Sequence, residues 1–371
     1  MGAFDDECGC GAEKDLVKSA DVPRRSLLKA AGAAAVAVIT APVAAQAQAV
    51  AAQAQLSAGD WPLAQRIGDP LPTLQARPWG HSHGAEGLNR CTPLIDSSKM
   101  NINLGHFPLF CEAQPGGGPS EHFHLTSEEM FTLLTGASCL SIDSHSSLIK
   151  APAGAPSRMG HSHGNVNITN ENIHYINYHV DKWRGHARED AFNLYDSRLH
   201  ATLDPVPQFM VMYLDKSVLV PTEHYHGGQG SVRYRRALDG RDIFQTNWAY
   251  MDHEVIPPGA SDGLHYHRGV EEIYFVMEGD GTFQLNDETA AIHKWQAVPV
   301  RYDEAHSITN NGSSDLELLI MGVSFEKNCI DTELGRLPRS PAPNGNFPIL
   351  SELEKNLDTE LGELPRPGRG Q

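Results

Sequence analysis

Apolar residues along this chain come in short runs rather than at helical spacing. Residues 273–277 read Ile-Tyr-Phe-Val-Met, β-branched or aromatic and apolar on both faces, with Gly279 closing the run. That pattern predicts a fully buried strand. Residues 103–112, 208–214 and 316–324 read as strands too, the last of them also buried. Turn-forming Gly, Pro and Asn separate such runs, and few long stretches carry a helical period. The expected fold class is all-β.

The N-terminus breaks this pattern. Residues 1–20 are polar and acidic, with Cys8 and Cys10 among them. Arg24, Arg25, Ser-Leu-Leu and Lys29 then precede an alanine-rich apolar run to Val43 and an Ala45-Gln-Ala47 site. A basic start, a mildly apolar middle and an Ala-x-Ala site predict a signal peptide over residues 1–47. The paired arginines followed by Ser-Leu-Leu-Lys look like a twin-arginine signal, which implies the twin-arginine export machinery as a partner and a periplasmic or extracellular destination. The run is too short and too rich in alanine for a stable membrane span.

Cleavage after Ala47 would leave 324 of the 371 residues, enough for two domains with real cores. The whole chain carries a net charge of −17, and the mature part 24 basic against 40 acidic residues, a net of −16. That balance argues against nucleic acid and anionic membranes as partners. Cys91, Cys111, Cys139 and Cys329 remain, open to three disulfide connectivities or to buried free thiols. None has C-x-x-C spacing, so a thiolate zinc site is not expected.

Chemistry enters at residues 258–279. In an extended segment His265 and His267 point to one side, because strand side chains alternate. Glu272 follows at a short distance, and His306 further on would supply a third imidazole. The same constellation stands earlier: subtracting 143 from His265, His267, Glu272 and Gly279 gives His122, His124, Glu129 and Gly136. The same offset carries Pro299 to Pro156, Arg301 to Arg158, His306 to His163 and Asn310 to Asn167. The chain is two copies of one unit. His161 could also be the third imidazole of the first copy, but the offset favours His163. His81 with His83, and His224 with His226, form further His-x-His pairs lacking a carboxylate at the matching distance. They read as loops, the first as a surface loop or a lid over its site.

These residues resemble the cupin family. Its first motif, G-x5-H-x-H-x3-4-E-x6-G, is filled at Gly259, His265, His267, Glu272 and Gly279, and again at Gly116, His122, His124, Glu129 and Gly136. The second motif, G-x5-P-x-G-x2-H-x3-N, is met at Pro299, His306 and Asn310; Arg301 replaces its glycine, His293 its leading glycine, and the gap before His306 is two residues longer. The resemblance implies two jelly-roll barrels, a bicupin. The expected organisation is a linker at 48–68, an N-terminal cupin at 69–200, a C-terminal cupin at 205–327 and a tail at 328–371. Within that tail, residues 331–339 nearly recur at 358–366.

Two ligand sets are implied: His122, His124, Glu129 and His163, and His265, His267, Glu272 and His306. Three imidazoles and a carboxylate leave coordination positions open and suit a divalent transition metal, Fe, Mn, Ni, Cu or Zn. The four-residue gap before the glutamate looks most like the quercetin dioxygenase type. That implies a small phenolic or enolic substrate, dioxygen, and Glu129 and Glu272 as catalytic bases. An oxalate decarboxylase-type bicupin is the alternative, and a non-enzymatic metal- or small-molecule-binding cupin a third; homo-oligomerisation stays open. Arg158 and Arg301 separate the first two: lining the pockets they favour a carboxylate, pointing outward the dioxygenase.

Overall fold

The computed structural model describes residues 61–95, 106–182, 191–194 and 203–336. The expected signal peptide at residues 1–47 and most of the duplicated tail lie outside the described residues. Among the described residues no helix is long and apolar enough to cross a membrane.

Four sheets make up two barrels. In the N-terminal barrel a six-stranded sheet runs Asn89–Pro93, His106–Ala113, Ile173–Asp181, Ser127–Leu133, Ala153–Ser157, Met212–Tyr213. It faces a five-stranded sheet in the order Phe192–Asn193, His122–Phe123, His163–Asn167, Ala137–Ile142, His145–Lys150. The C-terminal barrel repeats this plan. Its larger sheet runs Val220–Glu223, Ser231–Asp239, Trp248–Ile256, Leu316–Ser324, Val270–Glu278, Ala297–Val300. Its smaller sheet runs Glu333–Leu334, Ser261–Tyr266, His306–Thr309, Asp280–Leu285, Glu288–His293. Strands that begin at Ser127, Ala137, His145, His163 and Ile173 have counterparts at the repeat offset, beginning at Val270, Asp280, Glu288, His306 and Leu316. The sequence repeat is thus a repeat of pairing order.

Alternation explains why the central strands are apolar on both faces. Tyr274 and Val276 pack inside the C-terminal barrel with Phe283, Ile308 and Ile320. Ile273, Phe275 and Met277, on the opposite face, join Phe110, Met130, Tyr178 and Trp248 in a core that both barrels share. Phe110 lies 6.4 Å from Phe275, and Tyr178 meets Trp248 edge-on at 5.0 Å. Alternation also separates the paired glutamates. Glu129 turns toward the imidazoles, whereas Glu128 turns the other way and accepts hydrogen bonds from Gln245 N at 2.8 Å and Thr246 N at 3.0 Å.

Three segments differ from their sequence assignment. Residues 61–68, read as linker, include the helical turn Leu63–Arg66; Leu63 is buried, and Arg66 forms a buried ion pair with Glu304 at 2.7 Å. Both pack against the C-terminal barrel, at the far end of the sequence, so local composition could not reveal their burial. Met212–Tyr213, assigned to the second unit, pairs with Ala153–Gly154 of the first. Glu333–Leu334, assigned to the tail, pairs with His265 and Tyr266. Cys91 and Cys111 face each other across adjacent strands and form a disulfide, while Cys139 and Cys329 are free.

A shared core couples the barrels. Phe275→Ala is expected to cost about 3–5 kcal/mol through lost contact and a residual cavity. Denaturant unfolding of the variant should show both barrels lost together at a lower midpoint. A separate early transition of the C-terminal barrel would contradict the shared core.

Candidate metal centres

Each barrel gathers its four predicted ligands at one point. In both copies the first and third histidines sit directly opposite across antiparallel strands, His122 to His163 and His265 to His306. The second histidine follows two residues after the first, on the same face. The glutamate projects inward from the facing sheet. The ligand atoms of each set lie within 4.8 Å of one another, and every one of these eight residues is buried. His161 is set apart: it is partly exposed and bound to Asp143 at 2.5 Å.

Backbone carbonyls fix how the imidazoles are presented. The Nδ1–H groups of His122 and His163 donate to the carbonyls of Ser120 and His161, two residues back, at 2.7 and 3.0 Å. In the second barrel His265 and His306 do the same to Gly263 and Glu304, at 2.8 and 2.9 Å. His267 donates its Nδ1–H to the carbonyl of Asp331. With Nδ1 committed, Nε2 is the atom turned inward.

The Nε2 atoms of His122, His124 and His163 lie 3.5, 2.8 and 2.5 Å from one oxygen, Glu129 Oε2. Those of His267 and His306 lie 3.2 and 3.1 Å from Glu272 Oε2. Buried His122 Nε2 and His267 Nε2 find no hydrogen-bond partner in protein. Imidazole lone pairs crowded on a carboxylate oxygen repel it unless protons or a cation lie between them. The donor sets therefore fit a divalent transition metal, with three nitrogens and one oxygen per site.

Electrostatics differ between the centres. Burial would raise Glu129, but His179, His163 and His124 around it hold its carboxyl well below the usual range. Burial likewise acts against ionisation of Glu272, and His267 beside it overcomes this. Burial pushes His122 down to about 4. For His267 burial works in the same direction, yet the Glu272 carboxylate outweighs it and the group is pushed up to about 9.

Four further residues shape the centres, and of these only His83 was read in the sequence as close to a site. His83 stacks on His122, ring centres 3.8 Å apart, and His226 lies over His265 at 3.9 Å. For the first the lid reading holds; for the second the loop reading is replaced, because His226 also bonds buried Asp262 at 2.8 Å. The signal was present, since the repeat offset also carries His81 and His83 to His224 and His226. His179 approaches Glu129 Oε1 to 3.3 Å in the first centre. Its counterpart is Gly322, where a Cβ would fall 2.3 Å from the Tyr250 ring. That glycine admits Tyr250, whose hydroxyl donates to Glu272 Oε1 at 2.6 Å. Nothing in composition or spacing announces this exchange of an imidazole for a phenol.

The motif asparagines have a different task. Asn310 Nδ2 donates to Ile256 O at 2.7 Å and Ser314 O at 2.8 Å, and Asn167 does the same to Ala113 and Glu171 at 3.0 and 2.8 Å. They tie strand ends together. Gly136 and Gly279, with φ of 69° and 87°, occupy left-handed turns that disfavour any side chain.

The cupin domain family matches residues 252–322. An oxalate-binding protein of Thermotoga maritima is 34% identical over 93 residues, which is 25% of this chain and 76% of that protein. The chain belongs to the cupin family. An uncharacterized protein of Methanocaldococcus jannaschii is 32% identical over 65 residues, 18% of this cupin and 52% of its own length. Among solved structures, Bacillus subtilis oxalate decarboxylase at pH 4.6 aligns with a TM-score of 0.51 at 13% identity, over 82% of this chain and 86% of its own. The formate complex of Lactobacillus farciminis oxalate decarboxylase aligns at 0.52 and 12%, over 81% and 96%. At such identity the likeness is one of fold, and it extends over both barrels of this bicupin.

Metal must displace the proton that His267 holds below about pH 9. With the first centre removed by His122→Ala and His124→Ala, metal uptake at pH 7 should release protons into weak buffer. Affinity should climb with pH until about 9 and then level. A pH-independent affinity between 6 and 9 would contradict this pairing of His267 with Glu272.

Proposed function

We propose that this bicupin is a metal-dependent enzyme whose C-terminal barrel acts on a small oxygen-rich acid of the oxalate type. The observation that carries the reading is the size and lining of the cavity beside Glu272. It measures about 30 Å³ and is bordered by Arg236, Tyr250, Asp252, His267, Tyr274 and Thr332, among others. A single water needs roughly 10–15 Å³. Because His265, His267 and Glu272 line the same space, an ion held there leaves room for a small ligand at most and none for a polycyclic phenol.

Arg236 brings a guanidinium to this cavity, its charge balanced by Asp252. Its Nε and Nη2 are held by Asp252 at 3.0 and 3.1 Å, and its guanidinium lies 4.2 Å above the Tyr250 ring. A planar guanidinium with an N–H edge to spare suits a carboxylate. The names of the Thermotoga maritima relative and of the two oxalate decarboxylases point to the same substrate class.

A bound divalent metal would polarise a carboxylate oxygen and supply one-electron chemistry. Around it, Glu272 is the proton-handling group, its Oε1 steered by the Tyr250 hydroxyl and its Oε2 turned to the imidazoles. Buried Tyr274 and Ile320 and partly buried Ile330 give the cavity apolar walls that limit water at the reacting centre. Glu129 takes the equivalent position in the first barrel, with His179 in place of the phenol.

The dioxygenase reading stands second, and one observation favours it. Arg158 is exposed and Arg301 is turned to Glu304 at 2.6 Å, so neither brings charge to a pocket. Metal-loaded protein given oxalate should release carbon dioxide without net oxygen uptake. Glu272→Gln, checked for unchanged metal content, should lower kcat by about 10²–10⁴-fold and move KM little. Oxygen uptake on a phenol or enol with oxalate untouched would shift the assignment to the dioxygenase. Oxalate binding without turnover would leave a binding protein.

We also infer export by the twin-arginine route, supported by the Arg24-Arg25 signal and by the Cys91–Cys111 disulfide, which suits an oxidising compartment. That route carries folded proteins, so metal would be loaded before export. Arg24→Lys with Arg25→Lys should leave folded, metal-loaded protein inside the cell, as fractionation would show. Normal export of the variant would point to another pathway.

A further inference from the structure

The first copy of the duplicated tail motif reaches the second metal centre. Glu333 and Leu334 pair antiparallel with Tyr266 and His265, and Gly335 N donates to Leu264 O at 2.7 Å. Just before this strand, Asp331 makes three contacts with the ligand loop. Its carbonyl accepts the Nδ1–H of His267. Its carboxylate accepts from Arg268 N at 2.5 Å and Gly269 N at 3.0 Å. Thr332, next in line, borders the cavity.

His267 differs in this from four of the other ligands. His122, His163, His265 and His306 are each oriented by a carbonyl two residues back in their own strand. The partner of His267 lies 64 residues away. The first barrel fills the same edge by other means: Asn193 and Phe192 pair with His122 and Phe123, the counterparts of His265 and Tyr266 under the repeat offset. Both barrels need a visiting strand at this edge, and only the second takes it from the tail.

We propose that residues 331–335 are a strap that positions His267 for metal binding. Arg336, next in the chain, pairs with Asp287 and donates to Asn286 O at 2.8 Å, which pins the far end of the strap. Asp331 is a positioning residue: it acts on the metal through the orientation of His267.

The strap rests on the second ligand set taking metal, and the test keeps the two apart. Manganese or zinc is titrated into metal-free full-length protein, with the first barrel as internal control. Failure of the unsubstituted protein to bind at its second centre would sink the metal assignment itself. If it binds, Asp331→Ala should weaken that centre about 10–100-fold and leave the first unchanged. Asp331→Asn, which keeps one acceptor, should lie between. Unchanged affinity at the second centre in Asp331→Ala would overturn the strap. Equal loss from both barrels in Asp331→Ala would replace local positioning by general destabilisation.

Discussion

Three imidazole nitrogens and a carboxylate oxygen, brought together in a buried space, form the constraint on which each barrel depends. Such a cluster is costly to bury without charge compensation. It persists because it is held from two sides. Opposed antiparallel strands set the first and third histidines face to face, and a facing sheet supplies the glutamate. Carbonyls behind the rings hold Nδ1–H, so the inward atom of those rings is a nitrogen lone pair. A divalent cation satisfies all four donors at once.

On this common frame the two centres have diverged by their neighbours rather than their ligands. The first has His83 stacked flat on a ligand ring and His179 beside the acid. The second has His226 over the equivalent ring, a tyrosine on the acid, and Arg236 with Asp252 in the cavity wall. The same carboxylate therefore meets an imidazole in one barrel and a phenol in the other. Identical donor sets can then differ in affinity, proton handling and ligand choice.

Much of the frame was legible beforehand, because both strand alternation and metal geometry leave periodic marks. A His-x-His pair, a glutamate and a later histidine recurring at one offset define eight ligands and two barrels. The same arithmetic applied to His83 and His226 would have added the two rings that cover the first ligand of each set. Glu271 and Glu272 are neighbours in one strand, and alternation sends them to opposite faces. The extra residues before His306 become a turn in which Glu304 is held by Arg301 and by Arg66 from far upstream.

What the sequence determined by itself was periodic and local: an all-β chain, its duplication, and the identity of the donor atoms. These follow from alternation within a strand, which needs no knowledge of the partner strand. Only the tertiary structure decided what surrounds those donors. Arg236 reaches the cavity from a separate strand, Tyr250 enters through the space left by Gly322, and Asp331 holds His267 across a gap of 64 residues. Each is a contact between residues distant in sequence, set by sheet order and register, and no local pattern encodes it.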